Sequence, residues 1–106
     1  MMSVQIGAEN DTRWFSGNYA TILVFGGNSG NQETYIPVLT AEEAFNIDEK
    51  MDDGKPGIGT VRGFKFNLCV NPDSASTAAQ KQAATYDRTL ASRNCSLIFS
   101  LAGDPG

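Results

Sequence analysis

Histidine is absent from this 106-residue chain, and with it the commonest general base and the commonest metal ligand. Serine triads, zinc hydrolases and facial-triad iron centres are thereby excluded in their usual forms. Positive charge is also scarce, with 8 Lys and Arg against 12 Asp and Glu for a formal charge of −4. Arg13, Lys50, Lys55, Arg62, Lys65, Lys81, Arg88 and Arg93 are scattered, and no window holds the cluster that phosphate neutralisation requires. Charge therefore argues against nucleic acid and anionic membranes as partners, and the basic residues read as a mixed solubilising surface. No apolar run approaches the ~18 residues of a membrane span, and Met1–Gly7 lacks a basic segment followed by an apolar one.

Cysteine is limited to Cys69 and Cys95, with no C-x-x-C or metal-knuckle spacing. They are either two buried thiols or one disulfide. A small domain of the secreted kind gains most from the second. The length accommodates one domain, taken as residues 1–106, and 11 glycines point to many turns.

Residues 3–19 mix polar groups with Trp14, Phe15 and Tyr19 and read as a loop or short helix. Ala20–Phe25 is an apolar, β-branched strand closed by the turn-rich Gly26–Asn31, and Gln32–Val38 is a second strand that Pro37 places at an end or edge. Thr40 with Glu43 forms a capping box, behind which Ala44, Ile47 and Met51 make the apolar stripe of a helix from Ala41 to about Asp52. Thr60–Cys69 reads as a half-buried strand with Phe64, Phe66 and Leu68 on one face. Val70–Arg93 is a polar excursion with room for a short helix at Ala78–Ala84, and Cys95–Leu101 is a last strand. The order β, β, α, β, excursion, β predicts an α+β fold, an antiparallel sheet with one packed helix.

The segment Ala44-Phe45-Asn46-Ile47-Asp48-Glu49-Lys50-Met51-Asp52-Asp53-Gly54-Lys55-Pro56-Gly57-Ile58-Gly59-Thr60-Val61 follows the pattern A-x-N-I-D-x-K-x-D-D-G-x-P-x-x-G-x-V. It resembles a motif of the C-terminal heads of type IV pilins and type II secretion pseudopilins. In those families a cysteine follows on the next strand and a second precedes an apolar final strand, an arrangement that Cys69 and Cys95-Ser96-Leu97-Ile98-Phe99 reproduce. The resemblance covers about Tyr35 to Leu101. It implies a pilin-like head with a disulfide-closed C-terminal region and an extracytoplasmic place in the periplasm or on a cell-surface filament. Its partners would be other pilin or pseudopilin subunits. Those families also carry a long apolar N-terminal helix that this sequence lacks, so the expectation is a head separated from its helix, or a head-only chain that docks on a separate helical subunit.

Read physically, Asp52, Asp53, Gly54, Pro56 and Gly59 form a corner that ends the helix and routes the chain into the next strand. Lys50 suits the helix C-terminus. A rival reading makes Asp48, Asp52 and Asp53 calcium ligands, as the resemblance to calcium-binding pseudopilin heads implies, although EF-hand spacing is absent. A second rival makes Trp14, Phe15 and Tyr19 a carbohydrate-stacking patch instead of a cover for the sheet. Enzymatic chemistry is not expected. Adjacent carboxylates such as Glu42-Glu43 or Asp52-Asp53 point apart, and Gly26–Gly30 lacks the Lys-Ser/Thr of a phosphate loop. No cofactor is called for beyond that calcium alternative. Val70–Arg93 and Gly26–Asn31 are the surfaces expected to meet neighbours.

Overall fold

Thr21–Phe25 and Leu97–Ser100 carry apolar residues at successive positions, a pattern that fits a strand covered on both faces. The computed structural model describes residues 2–6, 13–15, 17, 19, 21–27, 36–65, 68–72, 74, 77–89 and 91–101. In chain order the elements are β1 (Met2–Ile6), β2 (Thr21–Phe25), α1 (Ala41–Met51), β3 (Val61–Gly63), β4 (Val70–Asn71), α2 (Ala78–Ala83), β5 (Thr85–Tyr86) and β6 (Leu97–Ser100). A four-stranded sheet has the order β1-β2-β6-β3 with every pair antiparallel, and β4 and β5 form a separate ribbon. The fold is α+β, as the sequence predicts.

The register assigns the two faces. Val24 lies opposite Ile98 and Ile98 opposite Arg62, so these share one face with Ile22. That face is covered by Trp14, Phe15 and Tyr19, all buried. Trp14 meets Phe64 edge-on at 5.5 Å, and the Arg62 guanidinium lies over the Tyr19 ring. These aromatic residues are core, which overturns the stacking-patch reading. On the other face Leu23 pairs with Phe99 and Phe99 with Val61, and α1 packs on this side against β3 and β5.

Two expectations need correction. Met2–Ile6 is a strand, not part of a loop or short helix. The strand expected over Thr60–Cys69 is reduced to Val61–Gly63 with an isolated bridge at Phe64, and Leu68 is exposed in a left-handed conformation with φ 65°. Its course changes because Gly63 lies under the Tyr86 ring and Lys65 donates its amide to the Arg13 carbonyl at 2.8 Å. The short helix expected at Ala78–Ala84 is present as α2, started by a second capping box of Thr77 and Gln80, and it joins the one packed helix of the expectation among the described residues. Of the expected strand Gln32–Val38, residues 32–35 lie outside the described ones. Ile36 bridges Gly27, and Leu39 bridges Cys95 beyond the end of the sheet.

Cys69 and Cys95 form a disulfide, with Cα atoms 5.0 Å apart. It ties the start of the excursion to the residue ahead of β6, and it points to an oxidising, extracytoplasmic compartment. Among the described residues no helix is long and apolar enough to cross a membrane. The bridge closes a loop of separation 26, for which loop-closure entropy predicts about 3.5 kcal/mol of stability. The double variant Cys69→Ala, Cys95→Ala should lose about that amount in equilibrium urea unfolding.

Candidate functional site

The acidic corner is assembled from the end of α1 and the turn behind it. At its start α1 is fixed by the capping box, with the Thr40 amide donating to Glu43 Oε1 at 2.9 Å and the Glu43 amide to Thr40 Oγ1 at 3.1 Å. One turn before its end the helix buries Asp48. Asp48 Oδ1 accepts the Gly54 amide at 3.1 Å, and Oδ2 accepts the Tyr86 hydroxyl at 2.5 Å. Asp52 caps the helix end, and its Oδ2 accepts the amides of Thr60 at 2.8 Å and Val61 at 3.3 Å. Asp53 Oδ1 accepts the Lys55 amide at 2.8 Å. Gly54 (φ 73°) and Gly59 (φ 82°) take the left-handed turns. A Cβ on Gly59 would sit 2.0 Å from Asp52 Oδ2, so glycine is required there for conformation and for space. Pro56 is buried, and its carbonyl accepts the Gly63 amide at 3.0 Å.

All three carboxylates proposed as calcium ligands come together, with one oxygen of each within 4.8 Å of the others. Each also accepts a donor of its own chain, as the corner reading expects. Burial pushes Asp48 up from 3.8 to about 7; the Tyr86 hydroxyl and the Gly54 amide oppose the shift, and the charge of Asp53 adds to it. Tyr86 is pushed well above 10.0, first by burial and then by the Asp48 charge. The arrangement can hold a proton on Asp48 near neutrality, and it clamps a helix end, a turn and β5 to one another.

Two basic residues expected on the surface are buried. Arg62 is 0% exposed; its Nε donates to the Gly59 carbonyl at 3.0 Å and its NH1 to the Tyr19 hydroxyl at 3.3 Å, while that hydroxyl donates to the Phe15 carbonyl. Lys81 of α2 is also buried. Tyr86 was not anticipated as part of the corner. It sits inside the excursion expected to be mostly surface, as do the buried Val70 and Ala84. Of the loop Gly26–Asn31, Gly26 is buried and residues 28–31 lie outside the described ones.

The second feature is an apolar groove of about 530 Å³ between α1 and the sheet, lined by Leu23, Phe25, Phe99 and Leu101 from the strand side and by Ile47 and Met51 from the helix, together with Thr60, Val61 and Ser100. Met51 and Leu101 are 64% and 58% exposed. Val4, opposite Leu23 in the register, extends the apolar surface towards β1 and is 65% exposed. The sequence carried a signal for this groove in the apolar residues at 23, 25, 99 and 101, which alternate with the inward-facing Ile22, Val24 and Ile98. No family model, curated protein or solved structure matches this chain.

Two predictions concern the corner. Because the folded state holds the Asp48 proton up to about pH 7 while the unfolded chain releases it near 3.8, this group's contribution is complete below pH 3.8 and is lost as pH rises to about 7. Subtracting the Asp48→Asn stability profile from the wild-type profile in urea should give a difference that falls by a few kcal/mol from pH 4 to 7 and is flat above. Gly59→Ala should lower stability by roughly 2 kcal/mol or more, and a thermal melt reads this directly.

Proposed function

We propose that this domain is the globular head of a type IV pilin or type II secretion pseudopilin, a non-enzymatic structural subunit on the periplasmic or cell-surface side that works by assembly with other subunits. The observation that carries the reading is the groove. It lies on a sheet face, where no strand edge offers hydrogen bonds to an incoming backbone, and its lining is apolar apart from Thr60 and Ser100. A segment bound there must satisfy its own peptide groups, and an α-helix does so. The occupant is therefore an apolar helix of a filament subunit, joined to this head or supplied by a separate helical chain. The helix-and-corner motif from Ala44 to Val61 and the Cys69–Cys95 bridge support the same assignment.

A photoreactive benzoylphenylalanine in place of Met51 or Leu101, irradiated in cells of the native host, tests the proposal. Mass spectrometry should map the cross-link to the apolar helix of a pilin-like subunit. Cross-links confined to proteins outside any filament, or none from either position, would refute it.

A further inference from the structure

The two edges of the four-stranded sheet are treated differently. At the β3 edge, Thr60 accepts the Ser100 amide and Phe64 donates to Ser96, so the alternate residues Val61 and Gly63 turn their backbone groups away from β6. Both of those outward amides are taken: Val61 donates to Asp52 Oδ2 and Gly63 to the Pro56 carbonyl. The corner thus closes this edge.

At the other edge, Thr21 accepts the Leu101 amide and so faces β6. By alternation Ile22 and Val24 face β1, where their partners are Gln5 and Ser3. Ser3 and Gln5 therefore hold β1 to β2, and the backbone groups of Met2, Val4 and Ile6 face outward. Among the described residues no strand pairs with this side. Met2-Ser3-Val4-Gln5-Ile6 also contains no charge and no proline, the devices by which natural edge strands discourage pairing.

We infer that the β1 edge joins two copies of this chain by antiparallel pairing about Val4. The strand is five residues long with an outward-facing residue at its centre, which makes it self-complementary across a two-fold axis. Val4 meets Val4 of the second copy, and Met2 meets Ile6 on either side. Every outward N–H and C=O then has a partner, and no like charges meet at the axis. Val4, exposed beside Leu23, is buried by the pairing, and the two sheets become continuous. What points to a second copy is the register: an outward residue at the centre of an uncharged strand lets Val4 pair with itself on a two-fold axis, so one surface supplies both sides of the contact.

The inference uses the strand edge and stands apart from the groove, and the test separates the two. Sedimentation equilibrium of the disulfide-bonded protein up to about 1 mM should give twice the 11.3 kDa chain mass. Val4→Pro removes the central outward N–H and spares the Ser3 and Gln5 amides that hold β1 in place; with an unchanged thermal midpoint it should be monomeric. Val4→Lys, which sets two cations face to face, should be monomeric too. Met51→Glu in the groove should remain dimeric. A wild-type protein that stays monomeric, a dimer that survives both Val4 variants, or a dimer dissolved by Met51→Glu would overturn the inference.

Discussion

The buried carboxyl of Asp48 is the contact on which the rest of this structure depends. One oxygen holds the amide of Gly54, just past the helix end, and the other holds the hydroxyl of Tyr86, far along the chain in β5. An acid with no exposure cannot be left without partners, because the cost of dehydrating it would rival the stability of a small domain. Its partners therefore have to arrive together: the helix end, the turn and the excursion are placed by one group. Tyr86 extends the constraint, since its ring meets Phe45 edge-on at 6.4 Å and lies over Gly63. The same ring thereby positions α1 and β3.

The consequence is felt across the sheet. With its C-terminal end tied to the corner, α1 lies against β3 and β5 and leaves Leu23, Phe25 and Leu101 along the wall of a groove. Asp52, one turn after Asp48, spends its carboxylate on Thr60 and Val61, which seals the β3 edge. Thus the acidic residues of the corner order the chain's own amides, and the apolar surface they leave uncovered is where a partner helix is proposed to lie. The opposite face is filled by Trp14, Phe15 and Tyr19 around the buried Arg62, so it has no room for such a partner.

Local signals were read best from the sequence. The Thr40–Glu43 box, the stripe of Ala44 and Ile47, and the left-handed Gly54 are encoded within a few residues of where they act, and α1 and its corner follow the reading closely. The α+β class follows from the order of the elements, and the Cys69–Cys95 bridge is one of two readings that the pair of cysteines leaves open, the one a small domain gains from. The strand at Met2–Ile6 is weakly marked, because its alternation lasts five residues and runs directly into polar sequence without a period. Phe64–Leu68 alternates as a strand should, but tertiary contacts won: Tyr86 over Gly63 and the Lys65 bond to Arg13 redirect the chain. Nothing local marks Tyr86 as the partner of Asp48 or Arg62 as buried, since both depend on which distant residue arrives beside them.

The central claim is that the helix-side face of the sheet, and not its aromatic-covered face, receives an apolar helix. Methyl NMR during titration with a peptide helix bearing one Leu/Ala stripe tests it most directly. The account predicts shifts at Leu23, Ile47, Met51 and Leu101 with Ile22, Val24 and Ile98 unmoved; shifts on the second set alone, or none at saturating peptide, would contradict it.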